Sequence, residues 1–118
     1  MSKEKNIVFF TPSEVNDKLP QIKKMINQII TLKNKFDENK EREILDKIKI
    51  KVSELENLGC ILRSADYGLV DFPAQRFGEV VFLCWKIDEE EINYWHTSTS
   101  GYQSRKHIKE YYILPKDQ

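Results

Sequence analysis

The sequence predicts an α+β fold, in which an N-terminal antiparallel helical hairpin, preceded by a short helix, packs with a small antiparallel sheet of three to four strands. Apolar residues recur at spacings of three and four through the first half of the chain, as in amphipathic helices. Short apolar runs bounded by turn formers fill the second half, as in strands. With 118 residues, 40% of them hydrophobic, we expect one domain over residues 1–118, with a helical hairpin part (11–58), a sheet part (60–107) and a C-terminal tail (108–118).

The first helix is predicted from the stretch TPSE. Thr11 suits the N-cap, Pro12 suits the first helical position, and Glu14 can complete a capping box. Further along, Pro20 removes a backbone hydrogen bond, and its ring clashes with the preceding turn of a helix. We therefore expect a short helix over residues 12–18, a kink or break, and a long helix over residues 20–36.

Two apolar patterns predict the helical hairpin. The first runs along the long helix through Ile22, Met25, Ile26, Ile29, Ile30 and Phe36. After the polar linker DENK, the second runs through Ile44, Leu45, Ile48, Val52, Leu55 and Leu58. Gly59 follows at the position of a left-handed C-cap. Because the linker is short, the two helices should fold back antiparallel.

The apolar stripes are wider than the seam between two helices requires, and two or three heptads make a weak isolated coiled coil. Either the sheet covers the excess, or a second copy of the chain supplies two more helices and completes a four-helix bundle. We predict a homodimer with the dimerisation residues Ile26, Ile30, Ile44 and Ile48. The alternative is a monomer in which these isoleucines are partly exposed, as many apolar side chains are.

Four runs predict the strands: CILR, LVDF, EVVFLCWKI and INYWH. The third is apolar on both alternating faces, which is typical of a covered central strand, and Gly78 marks the turn before it. The connection DEEE has the length of a hairpin loop. A symmetric register would place Trp85 opposite Tyr94 and Leu83 opposite His96, whereas a slip of one residue would exchange the two faces.

The apolar stretch YYIL near the C-terminus, followed by Pro115, has three interpretations. It adds an edge strand to the sheet, it reaches onto a neighbouring subunit, or it is disordered. Deletion of residues 109–118 separates these interpretations, since only a segment that bridges two subunits should change the oligomeric state when it is removed.

The composition disfavours several classes of protein. The chain has 19 basic and 19 acidic residues, so no overall field attracts a polyanion or an anionic membrane, and nucleic acid is an unfavoured partner. The apolar run in the start MSKEKNIVFF is too short for a signal peptide or a membrane span, which predicts a cytoplasmic protein. Cys60 and Cys84 lack a histidine at zinc spacing, so we expect reduced, buried thiols, no metal site and no cofactor.

Several short motifs occur in a defined order: GLVDFPAQRFG, VFLCW, YWH and GYQSR, behind an N-terminal segment with FT and LP. In this combination, over roughly residues 8–107, the chain resembles the family of domain of unknown function 2203. The resemblance implies a small prokaryotic cytoplasmic protein without an established activity. The residues that match the motifs are Asp71, Phe72, Pro73, Arg76, Gly78, Cys84, Trp85, Trp95, His96, Gly101 and Arg105.

The stretch INYWHTSTSGYQSR contains the candidate site. His96 can act as a general acid or base, Asp71 can orient its ring, and Arg105 can clamp a carboxylate or phosphate. His96 and Asp71 are therefore the catalytic candidates, and the ligand-binding candidates are Arg105, Arg76, Trp95 and Tyr102. The ordinary structural alternative is a histidine bonded to backbone, an ion pair that holds the loop, and tryptophans that belong to the core.

No nucleophile elbow, glycine-rich phosphate loop or paired carboxylates accompany these residues. We therefore expect a non-catalytic interaction or regulatory module that self-associates through its helices and docks a protein or a small anion. The alternative is a small enzyme or binding protein for an anionic metabolite that uses His96, Arg105 and Asp71. Nucleic-acid binding through the aromatic residues of the sheet is a third hypothesis, disfavoured by the charge balance.

Overall fold

The computed structural model describes residues 7–114, and predictions about the charged start of the chain or about Pro115 lie outside this range. Two helices come first, α1 (Pro12–Asn39) and α2 (Arg42–Glu56). Five strands follow: β1 (Ile61–Ser64), β2 (Leu69–Arg76), β3 (Glu79–Lys86), β4 (Tyr94–Thr97) and β5 (Lys106–His107). Short 3-10 turns at Tyr102–Ser104 and Ile108–Glu110 flank β5. The predicted α+β class is confirmed. Within the described range, neither helix is apolar enough over a sufficient length to cross a membrane.

Helix α1 is continuous, so the predicted division into a short helix and a long helix at Pro20 is wrong. Its start follows the prediction, because the Thr11 hydroxyl accepts from the Glu14 N–H and the Glu14 carboxylate accepts from the Thr11 N–H. Leu19 and Ile22, on either side of Pro20, are both buried in the core. Their burial keeps the two parts of the helix in line and offsets the hydrogen bond that Pro20 removes.

The two helices form the predicted hairpin, but their connection is only Lys40 and Glu41 because α1 continues to Asn39. The sheet covers the inner half of this hairpin, which comprises residues 12–29 and 55–56. All buried residues of the two helices lie in the inner half: Pro12, Val15, Leu19, Ile22, Ile26, Ile29 and Leu55. The outer half, residues 30–54, has no fully buried side chain. The hairpin therefore extends beyond the sheet that covers it.

The sheet is an antiparallel meander in the order β1-β2-β3-β4-β5. It has five strands, not three to four, because Lys106 and His107 pair with β4 as an additional edge. Phe77 and Gly78, both with positive φ, form the two-residue turn between β2 and β3. The segment YYIL forms no edge strand within the described residues. Instead, Tyr111 is buried against the core.

Strands β3 and β4 pair one residue away from the symmetric register. Leu83 lies opposite Trp95, not opposite His96 as predicted, and the other predicted pairs shift in the same way. The connection between the strands is longer than DEEE because contacts outside the ladder engage its backbone. In particular, the Ile92 N–H donates to Oδ1 of Asn16 on α1 at 2.7 Å. A contact between distant parts of the chain therefore sets the register.

This register decides which side chains share a face of the sheet. The face toward the helices is apolar and carries Val70, Phe72, Ala74, Val81, Leu83, Trp85 and Trp95. Both tryptophans are therefore core residues, which agrees with the structural alternative for Trp95 and not with its candidacy as a ligand-binding residue. Asp71, Cys84 and His96 lie on the opposite face, away from the hairpin. All three are nevertheless buried, because the chain after β4 folds back over this face.

Candidate functional site

Three neighbouring strands bring Asp71, Cys84 and His96 together, and we name these residues the polar cluster. Asp71 on β2 lies directly opposite Cys84 on β3, and His96 on β4 lies opposite the position two residues before Cys84. One carboxylate oxygen of Asp71, Sγ of Cys84 and one ring nitrogen of His96 lie within 4.8 Å of one another. The cluster therefore combines oxygen, sulfur and nitrogen donors in a buried position.

Both ring nitrogens of His96 have partners. Nδ1 lies 2.8 Å from the backbone carbonyl oxygen of Thr97, and since that oxygen only accepts, Nδ1 must carry a hydrogen. Nε2 lies 2.9 Å from Oδ2 of Asp71. A proton must lie between these two atoms as well, because two unprotonated acceptors would repel each other. The predicted contact between Asp71 and His96 is therefore present, and the ring has no free nitrogen.

Asp71 is held from two sides. Arg63 Nε donates to Oδ2 at 2.8 Å, so this oxygen faces both Arg63 and His96. The other carboxylate oxygen, Oδ1, is buried and has no hydrogen-bond partner among the described residues. Most buried polar atoms in proteins are paired. An unpaired oxygen on a fully buried carboxylate therefore marks a place where a ligand atom is missing or where folding energy is lost.

Cys84 contributes a thiol that keeps its proton at neutral pH. Burial, together with the smaller effect of the Asp71 carboxylate, raises the pKa of the Cys84 thiol to about 12, and the nearby Arg105 opposes this rise. Since the thiolate is the reactive form, Cys84 is not an activated nucleophile. Cys60, the other cysteine, is buried elsewhere, and its thiol donates to the backbone carbonyl of Leu55.

A cavity of about 320 Å³ lies beside the polar cluster. Its wall includes Arg63, Phe82 and four residues of the chain after β4: Ser98, Ser100, Gly101 and Tyr102. The loop closes on itself through two hydrogen bonds, from the Thr97 N–H to Ser100 Oγ at 3.1 Å and from the Ser100 N–H to the Thr97 carbonyl at 3.2 Å. The hydroxyl-rich loop therefore forms one wall of the cavity next to His96.

Arg105 lies near the cluster, but its guanidinium is engaged elsewhere. Nη1 lies 3.1 Å from Oε2 of Glu89, and the guanidinium carbon lies 4.0 Å and 4.2 Å from the ring centroids of Tyr94 and Tyr102. Burial disfavours the charged form of Arg105 and by itself would lower its pKa. The Glu89 carboxylate, and to a smaller extent Cys84 and Tyr102, favour the charged form, so the pKa of Arg105 is raised. Arg105 does not line the cavity. The structure does not assemble the predicted anion clamp of Arg105, His96 and Asp71 around that space.

The other predicted ligand-binding residues have different surroundings. Arg76 lies over the ring of Trp95, with 4.6 Å between the guanidinium carbon and the ring centroid. It also donates to three backbone carbonyls of the C-terminal segment: those of Glu110, Tyr111 and Ile113. Trp95 itself is buried. Of this group, only Tyr102 is exposed and lies at the cavity.

From the sequence, Asp71 could either orient His96 or pair with Arg76 or Arg105, and nothing indicated that Arg63 and Cys84 belong to the same site. Arg63 lies where the pairing of β1 with β2 is irregular, between Leu62 and Ser64. No local sequence pattern predicts this irregularity. A signal for Cys84 was present. Asp71 lies six residues before Phe77 and Cys84 six residues after Gly78, so a two-residue turn at these positions predicts that they face each other.

Comparison with known families agrees with the resemblance seen in the motifs. The model of the family described as "Uncharacterized conserved protein (DUF2203)" matches residues 36–108. This match covers more than half of the chain, which therefore belongs to that family. No curated protein and no solved structure matches the chain.

Proposed function

We propose that this member of the DUF2203 family is a non-catalytic interaction module of the cytoplasm that self-associates through the outer half of its helical hairpin. The main support for this proposal is that the chain buries few side chains of α2. Of its residues only Leu55 is buried, whereas Ile50 is 58% exposed. Ile44 and Ile48 are only partly buried. Apolar side chains along one helix that the chain itself leaves uncovered favour association with another helical surface.

A groove on the hairpin contains part of this surface and extends from the outer half onto the exposed side of the inner half. It has a volume of about 870 Å³ and is lined by Pro20, Lys23, Lys24, Asn27, Gln28, Thr31, Leu32, Lys47, Ile50 and Lys51. We name it the hairpin groove. Leu32 and Ile50 supply apolar side chains, and the four lysines contribute their aliphatic stems while their charges reach water. The hairpin groove can therefore bury apolar area and also select a partner by charge.

A second copy of the chain fits this charge pattern. The tip of the hairpin, residues 37–43, has four acidic residues, Asp37, Glu38, Glu41 and Glu43, against two basic ones, Lys40 and Arg42, whereas all charged residues that line the groove are lysines. Glu38 and Lys24 are 14 residues apart on α1, about 21 Å along the helix axis. If two hairpins pair antiparallel around Thr31, the acidic tip of each copy lies beside the basic groove of the other. Such a dimer is a four-helix bundle.

The structure changes the expected set of dimerisation residues. Ile26 is completely buried within its own chain, so it supports the fold and is not accessible to a partner. Ile30 is partly buried and packs against the core. Ile44 and Ile48 lie on the side of α2 away from Ile50, because residues two positions apart on a helix face in opposite directions. Ile50, which lines the hairpin groove, therefore takes their place in the proposed interface.

Sedimentation equilibrium over a range of concentrations tests the proposal. We expect a monomer–dimer equilibrium that Ile50→Glu shifts to monomer. Ile113→Glu is the matched control, because Ile113 is an isoleucine of similar exposure, 61%, far from the hairpin groove. A wild-type chain that stays monomeric at high concentration, or a control that dissociates as readily as Ile50→Glu, contradicts the proposal.

A charge exchange tests the antiparallel arrangement. Lys24→Glu and Glu38→Lys should each weaken the dimer, and the double variant should restore it because the pair is reversed across the interface. Exposed charge pairs are worth about 0.2–1 kcal/mol, and a symmetric dimer contains two of them, so each single substitution should raise the dissociation constant by roughly 2-fold to 30-fold. A double variant weaker than either single variant rules out this arrangement.

The alternative of a small enzyme for an anionic metabolite receives partial support from the contact between Asp71 and His96. Both nitrogens of the His96 ring already have partners, however, so the ring offers no free base in this arrangement. Arg105 is paired with Glu89. These contacts favour the interaction module.

A further inference from the structure

The polar cluster has the composition and the geometry of a site for a transition metal ion. A thiol, an imidazole and a carboxylate are the side chains that bind Zn²⁺, and catalytic and regulatory zinc sites commonly use three protein ligands with a fourth position open. Sγ of Cys84, one ring nitrogen of His96 and one of the two carboxylate oxygens of Asp71 lie within 4.8 Å of one another. In a tetrahedral site with bonds of about 2.0–2.3 Å the ligand atoms are roughly 3.5 Å apart. Small side-chain rotations toward a common centre close this difference.

His96 already has the orientation of a metal ligand. Its Nδ1–H points to the backbone carbonyl of Thr97, which is a common outer contact of metal-binding histidines and directs the Nε2 lone pair toward the metal. At present a proton lies between Nε2 and Asp71. A divalent cation bound at Nε2 displaces this proton to solvent, and the Cys84 thiol likewise releases its proton when it binds as a thiolate.

The unpaired oxygen of Asp71 is an independent observation that points to a missing ligand. Asp71 is 2% exposed, and its Oδ1 has no partner among the described residues. Arg63 holds the other oxygen, Oδ2, at 2.8 Å, and acts as an outer contact that fixes the carboxylate. Oδ1 is therefore available as a ligand atom in a carboxylate that is already oriented.

We infer that Asp71, Cys84 and His96 form a binding site for one zinc-like divalent ion, through Oδ1, Sγ and Nε2. The fourth coordination position faces the cavity beside Ser98, Ser100 and Gly101, where water or a small anion completes the coordination. A thiolate and an imidazole favour Zn²⁺ or Co²⁺ over Mg²⁺ and Ca²⁺, which prefer oxygen ligands. The site lies on the face of the sheet opposite the hairpin, so this inference does not depend on self-association.

From the sequence we expected no metal site, because neither cysteine has a histidine at zinc spacing. Zinc spacing in a sequence detects only ligands that lie close together along the chain. Here the three ligands lie on three consecutive strands, and the interval is 13 residues from Asp71 to Cys84 and 12 residues from Cys84 to His96. Sheet pairing, not a short motif, brings them together.

Titration of the full chain with Co²⁺ tests the inference, because a thiolate ligand to Co²⁺ produces a charge-transfer band in the near ultraviolet and the visible bands report tetrahedral coordination. We expect saturation at one ion per chain and displacement by one equivalent of Zn²⁺, with no displacement by Mg²⁺. Zn²⁺ should also raise the melting temperature, because it binds only the folded chain. Absence of the thiolate band, or a titration without saturation, overturns the inference.

Cysteine variants identify the ligand. Cys84→Ser should remove the charge-transfer band, whereas Cys60→Ser, the matched control at the other buried cysteine, should keep it. His96→Gln should weaken Zn²⁺ binding by more than the 10-fold to 100-fold that follows loss of an outer contact. Circular dichroism shows whether each variant folds. If His96→Gln does not fold, Cys84→Ser decides the question. An unchanged band in Cys84→Ser, or its loss in Cys60→Ser, refutes the assignment.

Discussion

The inner and outer halves of the helical hairpin have similar sequence patterns but different surroundings. Isoleucines recur at helical spacing in both halves, yet Ile22 in the inner half is completely buried and Ile50 in the outer half is 58% exposed. The sheet ends before the hairpin does. The radius of gyration, 15.8 Å, exceeds the roughly 13.5 Å expected for a compact domain of this length. An apolar stripe therefore identifies the face of a helix that favours burial. Whether that face is in fact buried depends on the other elements that pack against it.

The largest effect should separate the two halves directly. Ile22→Ala removes a fully buried side chain from the core between helix and sheet and should lower the free energy of unfolding by about 2–5 kcal/mol. Ile50→Ala should change it by less than about 0.5 kcal/mol in the dilute monomer, as for other surface positions. Urea unfolding followed by circular dichroism measures both values. Equal losses would show that the outer half is as well covered as the inner half.

The second test concerns the junction between the inner half and the sheet. A Cβ on Gly68 would lie 2.6 Å from Ile87 and 3.5 Å from Ile26, and Gly68 has a φ of +62°. Gly68→Ala therefore adds a steric clash to backbone strain and should cost about 2–4 kcal/mol.

Gly78→Ala is the control for this test. Its φ is +84°, but a Cβ there meets no atom within 4 Å. It should therefore cost only the strain of a left-handed residue, about 1–2 kcal/mol. If thermal unfolding shows the same loss for both glycine variants, the close approach of Gly68 to Ile87 is not important for stability.

Helix capping provides a smaller contrast between the two ends of the hairpin. Thr11→Ala removes the side-chain cap of α1 and should cost about 1 kcal/mol. The N-cap of α2, Glu41, makes no side-chain hydrogen bond to the helix, so Glu41→Asp should instead stabilise the chain by a few tenths of a kcal/mol. Chemical denaturation at neutral pH measures both. Stabilisation by Thr11→Ala would contradict the observed capping box.

The last test depends on pH and concerns Cys60, whose thiol donates to the Leu55 carbonyl at the covered end of α2. Burial raises the pKa of the Cys60 thiol to about 12 from a usual value of 9.0. Because the folded pKa is the higher one, the contribution of the thiol is complete below about pH 9 and is lost as the pH rises toward 12. Relative to Cys60→Ser, which does not ionise, the wild type should lose roughly 1 kcal/mol by about pH 10. If the difference in stability between the wild type and Cys60→Ser does not change with pH, the Cys60 thiol is accessible to water in the folded chain.

Much of the fold follows from local patterns. The capping residues Thr11 and Glu14 predicted the start of α1, and the turn at Gly78 and the apolar run of β3 predicted the central hairpin of the sheet. The break at Pro20 was wrong because local preference was outweighed by burial of Leu19 and Ile22 on both sides. The fifth strand was missed because Lys106 and His107 have no apolar pattern. Whether these two residues pair with β4 depends on how the chain folds back after β4 ends.

The candidate site was predictable only in part. Its most conspicuous residues, Asp71 and His96, were singled out from their chemistry, and they do meet. Arg105 was predicted to bind a ligand anion, but it pairs with Glu89, and no sequence pattern indicates this ion pair. Cys84 was regarded as an inert core residue. Its neighbours depend on the register of two hairpins, and a shift of one residue changes every neighbour.

The sequence by itself determined which segments are helices and strands and which of their faces are apolar, because these properties depend on residues a few positions apart. Tertiary structure alone decided the length of α1, the register of β4 and the grouping of Asp71, Cys84 and His96. The hydrogen bond from the Ile92 N–H to Asn16 joins residues 76 positions apart. Contacts over such distances form only when the chain is folded, so no local pattern records them.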